Sequence, residues 1–275
     1  MSSPTPIALL IRTAGTNCDR ELAHAFTLAG AQPQTVHLNE LIQSPRLIEQ
    51  ANILAFPGGF SYGDDIAAGR IFAHRLRLRL LEPLRDAVAR GTPVIGICNG
   101  FQVLAKLGLL PDPELATQSV TLADNSTGRF IDRWVALAPA PDSVCIWTRG
   151  LPEAFPLPIA HGEGRFVTAD AAVLDRLRSH GQVALRYTAP TQACGIECHP
   201  DGPNPNGSMD DVAGICDASG VVLGLMPHPE RATDPTHLPG WTRRPGGAQA
   251  ETEPVGLMFF RNAVAFVRER ALQAV

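Results

Sequence analysis

Residues 94–102 read Val-Ile-Gly-Ile-Cys-Asn-Gly-Phe-Gln, a short apolar run, then a cysteine bracketed by Gly96 and Gly100, then the start of a helical pattern. A chain presents a nucleophile in this way. A side chain on a sharp strand-to-helix turn stands clear of its own backbone, and flanking glycines remove the Cβ atoms that would block the turn. A thiol at the head of a helix also sits at the positive end of the peptide dipoles, which favours the reactive thiolate. Cys98 is therefore the candidate nucleophile. A tight packing corner would use the same residue types, so the reading depends on a base elsewhere in the chain.

Eight histidines are available. His228 follows the apolar run 221–226 in Met-Pro-His-Pro-Glu-Arg, two residues before Glu230. In an extended segment those two positions face one side, so Glu230 can orient the imidazole while its other nitrogen addresses the thiol. His199, in Glu-Cys-His-Pro-Asp, competes as a base but lies in a Pro/Gly-rich stretch with no strand to fix it. Acyl chemistry at a thiol also needs preset donors for a tetrahedral oxyanion. The Asn99 amide comes with the turn, and a second donor can come from the Gly-rich loop 56–63, which follows a strand pattern at 53–56. A metal centre built from Cys194, Cys198 and His199 lacks a fourth ligand and paired CxxC spacing, so none is expected.

Alternating elements must hold these residues. Strand patterns at 6–12, 34–38, 53–56 and 93–97 interleave with helical patterns at 18–29, 41–50 and 82–89. This order predicts an α/β fold with an open, mostly parallel sheet flanked by helices and a site beyond the carboxyl ends of the strands. Further strand patterns lie at 129–138, 144–148, 157–160, 183–187, 212–216 and 221–226, with a closing helix at 255–268. The reading is a single domain over 1–275, with Pro/Gly-rich loops at 201–207 and 235–254, the second a long insertion.

Composition narrows the function classes. With 275 residues and 45% apolar content, the chain can bury a large core. A net charge of -4 without a basic block argues against nucleic acid or a lipid surface as the main partner. No apolar run reaches the length of a membrane span, and the start Met-Ser-Ser-Pro-Thr-Pro lacks the regions of a signal peptide. A cytoplasmic protein with reduced thiols is expected, its six cysteines being scattered along the chain. Lys106 is the single lysine among 23 basic residues and is followed by Leu-Gly, so there is no Gly-rich phosphate loop ending in Lys-Ser or Lys-Thr.

Five segments occur in order: Pro-Gly-Gly-Phe-Ser-Tyr-Gly-Asp at 57–64, Gly-Ile-Cys-Asn-Gly-Phe-Gln at 96–102, His-Gly-Glu-Gly-Arg at 161–165, Asn-Pro-Asn-Gly-Ser at 204–208 and Gly-Leu-Met-Pro-His-Pro-Glu-Arg at 224–231. Together they resemble the family of glutaminase subunits of phosphoribosylformylglycinamidine synthase, within the class I glutamine amidotransferases. The resemblance runs from about residue 6 to 268. It implies a flavodoxin-like class I amidotransferase fold with additional β segments. It also implies glutamine as substrate, Cys98 as nucleophile, His228 as proton carrier and Glu230 as its orienting carboxylate. Gly59 and Asn99 amides would hold the oxyanion, Gln102 would bind glutamine, and Asn206, Gly207 and Ser208 would contact its α-amino and carboxylate groups.

The same resemblance implies partners. Ammonia would pass to a large synthetase subunit carrying ATP and magnesium, with no cofactor in this chain, and some members of the family add a small accessory subunit. After Asp64 the chain continues Asp-Ile-Ala-Ala-Gly-Arg, where many relatives carry an aromatic and cysteine-containing continuation. Segments 111–126, 147–157 and 235–254 look like additions to a compact relative. Other readings of the same triad are another class I amidotransferase, a stand-alone γ-glutamyl hydrolase, or a non-catalytic binding module on this fold.

Overall fold

Strands buried on both faces must be apolar throughout, and this chain supplies such strands at the centre of its sheet. The computed structural model describes residues 4–243 and 253–273. β3 (Ile53–Phe56), β4 (Val94–Ile97) and β11 (Val222–Leu225) are buried at every position. β1 (Ile7–Arg12) and β2 (Gln32–His37) complete a parallel half ordered β2-β1-β3-β4-β11. The carboxyl ends of β1, β3, β4 and β11 therefore open on one edge. β10 (Val212–Cys216), β9 (Val183–Tyr187), β6 (Ile131–Pro139) and β7 (Phe155–His161) continue the sheet as antiparallel strands. These are the additional β segments, and among the described residues they bring the sheet to nine strands. β5 (Val120–Ala123) pairs with β8 (Arg165–Thr168) in a separate two-stranded sheet.

Helices cover the faces. α1 (Asp19–Leu28), α5 (Leu81–Ala89), α6 (Asn99–Leu107) and the closing helix α8 (Val255–Gln273) present apolar faces to the sheet. α8 runs past the expected end at 268. The predicted helix at 41–50 is two helices, α2 (Leu38–Gln43) and α3 (Arg46–Gln50), broken where Pro45 excludes a helical Ser44. The strand expected at 34–38 ends one residue early, because the His37 ring accepts the Asn39 N–H at 3.1 Å and caps α2.

The pattern at 144–148 is not a strand. Val144 is exposed, and Cys145, Ile146 and Trp147 are buried in a loop ending in the short 3₁₀ turn Ile146–Thr148, with Trp147 Nε1 donating to Val221 O at 2.9 Å and Asn262 of α8 donating to Trp147 O. α4 (Arg70–Arg79) and α7 (Ala171–Ser179) were not expected, nor were β5 and β8. α4 buries only Phe72, Ala73 and Leu76, and its Arg-Leu alternation mimics a strand. Within the expected loop at 235–254, Pro235–His237 and Trp241–Arg243 form 3₁₀ turns. Residues 244–252 lie outside the described residues.

Candidate active site

The turn after β4 carries the thiol. Cys98 adopts φ 51° and ψ −107°, a conformation that side-chain-bearing residues rarely take and that concentrates at functional sites. Its backbone is pinned by the Cys98 N–H bond to Leu225 O at 2.8 Å, and α6 begins at the next residue. Two glycines make the turn possible. A Cβ on Gly100 would stand 2.0 Å from Phe56 O, and one on Gly96 would stand 2.6 Å from both Gly100 O and Leu104 Cδ1. The predicted strand–turn–helix elbow is present in full.

His228 and Glu230 follow β11. The histidine Nδ1 and Glu230 Oε1 are 2.6 Å apart and both side chains are buried. The pairing arises differently from the expectation. His228 leaves the strand and Pro229–Arg231 closes into a 3₁₀ turn, so a turn stiffened by Pro229, not strand alternation, brings the carboxylate back to the ring. Burial disfavours charge on His228. The Glu230 carboxylate and the Cys98 and Cys18 sulfurs together outweigh it and hold the pKa well above the ordinary histidine value.

Gly58 shows how closely the groups converge. A Cβ placed there would meet His228 Cε1 at 2.9 Å, Cys18 Sγ at 3.1 Å and Cys98 Cβ at 3.5 Å. Gly59 beside it has φ 144°, where a Cβ would strike Gly15 O at 2.6 Å, so only glycine can hold this loop against the segment after β1. Asn99 ties the loop to α6. Its Oδ1 accepts the Ser61 N–H at 3.2 Å, and its Nδ2 donates to Asp64 Oδ1 at 3.2 Å and Gln102 Oε1 at 2.9 Å. The first-turn N–H groups of α6 have no partner within the helix, and that of Asn99 is adjacent to the thiol.

A cavity of about 270 Å³ opens at Cys98. Gly59, Gln102, Asp64, Asp124, Arg129, His161 and Glu163 line it together with Phe60 and Phe130. The two aromatic rings are 6.3 Å apart and half-exposed. Gln102 is fixed from behind by Glu163 O, which accepts from its Nε2. Burial raises the Asp64 carboxyl above its usual range. Asp64, Asp124 and Arg129 belong to no triad spacing; only the cavity reveals them.

Asn206, Gly207 and Ser208, which the resemblance makes glutamine contacts, are not among the residues lining this cavity. Asn206 Nδ2 donates to Gly164 O at 2.8 Å and its Oδ1 accepts from Ser208 Oγ at 2.7 Å, while Ser208 Oγ accepts the Phe166 N–H at 3.0 Å. Asn206 and Ser208 thereby brace the 161–166 segment, while the Gly207 N–H bonds to Asn204 Oδ1 at 2.9 Å. His199 is exposed, bonded within its own loop and outside the site. Cys198 is exposed too, whereas Cys194 is buried. Among the described residues the group that could bring three ligand atoms within 4.8 Å is Cys18, His228 and Glu230.

His161 carries a separate consequence. Asn125 Nδ2 donates to Arg129 O and His161 O, so its Oδ1 faces His161 Nδ1 as acceptor at 3.0 Å. Nε2 is then the bare nitrogen, buried and without a partner. Burial, aided by His228, lowers the pKa of His161 to about 3. The unfolded chain binds this proton near pH 6.5 and the folded chain does not, so stability is lost as pH falls from about 6.5 towards 3, by about 1.4 kcal/mol per unit. Urea unfolding at pH 7 and pH 5 is expected to show a shallower acid loss in His161→Gln than in the wild type; equal slopes would contradict a buried neutral imidazole.

Fold and site together define a glutamine amidotransferase. A family model described as the CobB/CobQ-like glutamine amidotransferase domain matches residues 5–267. The chain is 43% identical over 261 residues to the phosphoribosylformylglycinamidine synthase subunit PurQ of Dehalococcoides mccartyi, covering 95% of this chain and 97% of that one. It is 44% identical to the corresponding subunit of Treponema denticola, with coverage of 82% and 87%. A chain in the structure of PurLQS from Thermotoga maritima superposes with a TM-score of 0.70 at 30% identity, covering 96% of this chain and 100% of that one. The chain belongs to the PurQ family of glutamine amidotransferase subunits.

Proposed function

We infer that this chain is the glutaminase subunit of a phosphoribosylformylglycinamidine synthase, acting in purine biosynthesis as one catalytic unit. The observation that carries the reading is the meeting of Cys98, His228 and Glu230 beside one cavity, within a chain so similar to PurQ subunits. The Cys98 sulfur attacks the side-chain amide carbon of glutamine, and the oxyanion is held by the Gly59 and Asn99 N–H groups. His228, as imidazolium, protonates the amide nitrogen, and ammonia leaves a γ-glutamyl thioester on Cys98. Water then attacks the thioester, giving its proton to His228, and glutamate departs as the thiolate is released. Glu230 fixes the tautomer throughout.

Recognition of glutamine falls to the cavity wall. We assign Arg129 to the α-carboxylate, Asp64, Asp124 and Glu163 to the α-ammonium group and Gln102 to the substrate amide side, all from the cavity lining, with Asn206, Gly207 and Ser208 as further candidate contacts. Ammonia passes to a synthetase subunit of the PurL kind, to which we assign ATP and magnesium, and a small subunit of the PurS kind completes the assembly. The synthetase converts formylglycinamide ribonucleotide to its amidine. No helix of the described residues is long and apolar enough to cross a membrane, and we place the protein in the cytoplasm.

Glutamate release from glutamine, measured with and without the synthetase and small subunits and their nucleotides, tests this. Release stimulated by the partners is the expected result. Absence of release, in an assembly shown to be competent with free ammonia, would favour a binding module; release indifferent to partners would favour a stand-alone γ-glutamyl hydrolase.

A further inference from the structure

Cys18 lies at the centre of the site, yet the reaction just described does not use it. It caps the start of α1, is buried, and belongs to the segment after β1 that supports the oxyanion loop: the Asn17 and Cys18 N–H groups both bond to Gly58 O, at 3.3 and 3.2 Å, and Phe60 N–H bonds to Gly15 O at 2.9 Å. The side chain turns the other way. Its sulfur lies within 4.8 Å of a ring nitrogen of His228 and a carboxylate oxygen of Glu230, and it accepts from Arg231 Nη2 at 3.0 Å. Its S–H has an acceptor in Asn17 Oδ1 at 3.2 Å. With the proton directed there, the sulfur lone pairs face Arg231 and the imidazole.

Two further observations point at this thiol. His228 Nε2 is buried without a hydrogen-bond partner, so the ring is fixed on one side by Glu230 and on the other only by what surrounds it. Arg231 is the next residue after Glu230 and also approaches Glu21 of α1 at 3.8 Å, which binds the 228–231 turn to the head of α1. The guanidinium against the sulfur makes a poor setting for a metal cation, although a thiol, an imidazole and a carboxylate are gathered there. Its cationic character suits a sulfur that accepts hydrogen bonds.

We propose that Cys18 is a positioning residue for glutamine hydrolysis: through its backbone it holds the Gly58–Gly59 oxyanion loop, and through its sulfur it holds the His228 ring, so that the two halves of the catalytic apparatus keep one register. The proposal rests on the Cys98–His228–Glu230 reading. The titratable and charged groups around His228 are Glu230 and Arg231 on its own turn, Cys98 at the head of α6, Cys18 at the head of α1, and His161 on β7. Burial raises the Cys18 pKa and keeps the thiol neutral, and its contact favours the imidazolium. Its removal therefore makes His228 lose its proton at lower pH.

The test uses Cys18→Ala and Cys18→Ser in the reconstituted assembly, with Cys98→Ala beside them. Cys18→Ala is expected to lower kcat for glutamate release tenfold or more with KM for glutamine within about twofold, and to move the alkaline limb of the rate profile to lower pH. The rate of Cys98 alkylation by iodoacetamide, followed by peptide mass, should fall in parallel. Cys18→Ser keeps an acceptor and should recover most of both rates. Wild-type kcat and pH profile in Cys18→Ala would overturn the proposal. So would a loss that tracks a lower melting temperature, leaves the alkylation profile unmoved and is not repaired by serine. Glutamate release by Cys98→Ala would instead bring down the triad reading, and this proposal with it; a silent Cys98→Ala beside a wild-type-like Cys18→Ala would remove this proposal alone.

Discussion

Cys98→Ala is expected to lower glutamine-dependent amidine formation by about 10⁴-fold or more in the assembled synthase, while formation from free ammonia stays near the wild-type rate. The separation follows from where the sulfur sits. Alanine keeps the backbone of the elbow, whose shape is set by Gly96, Gly100 and the Cys98 N–H bond to Leu225 O, and removes only the atom that forms the thioester. Glu230 and the loop at Gly58 and Gly59 lose no polar partner, and His228 loses only the sulfur it serves. The cavity is left with a base and an oxyanion cradle but no nucleophile, and water cannot replace it because the amide is a poor acyl donor. Parallel assays with glutamine and with ammonium chloride, reading glutamate and amidine, check this. A matching collapse of the ammonia reaction would place the role of Cys98 in assembly.

Glu230→Gln changes neither volume nor burial, yet is expected to lower kcat for glutamate release by about 10²–10⁴-fold. The carboxylate can only accept, so it requires a proton on His228 Nδ1 and leaves Nε2 for the sulfur side. A glutamine amide can donate instead, which allows the opposite tautomer. It also removes the charge that does most to offset burial in holding the His228 proton. The imidazolium that protonates departing nitrogen is then lost at lower pH, so the alkaline limb of kcat moves down while KM for glutamine changes little. A rate profile across pH 6–10 for both proteins reads the two effects together. An unchanged limb with lower kcat would leave tautomer control as the only function of Glu230.

Legibility in the sequence followed burial. Residues 53–56, 183–187 and 212–216 form strands with the predicted limits; the first and third, enclosed on both faces, read as uninterrupted apolar runs, and the second is broken only at Arg186. The same signal misled at 144–148, where Trp147 is enclosed between α8 and the start of β11 without joining a ladder. α4 was hidden by Arg-Leu alternation, and α7 by a mostly exposed surface whose clearest mark, the Asp170 cap on Val173 N–H, is a single side chain. Cys98, His228 and Glu230 could be named because each stands at a strand end in a local pattern. Cys18, Arg129 and Asp64 could not: they reach the site across distances that only the packed sheet defines. The motif 204–208 was visible, but that Asn206 and Ser208 turn onto the 161–166 segment is a matter of tertiary direction that no spacing encodes.

The placement of β11 between β4 and β10 sets the order in which a nascent chain can become competent. Cys98 leaves the ribosome early, alongside β1, β3 and the oxyanion loop, but the strand that carries its base is separated from it by the whole antiparallel half. Contacts so distant along the chain form late. A product ending before β11 lacks His228 altogether, and one that includes it still needs β11 paired with β4 to bring the ring to the thiol. The machinery for releasing ammonia is thereby incomplete until β11 and the turn after it have been made.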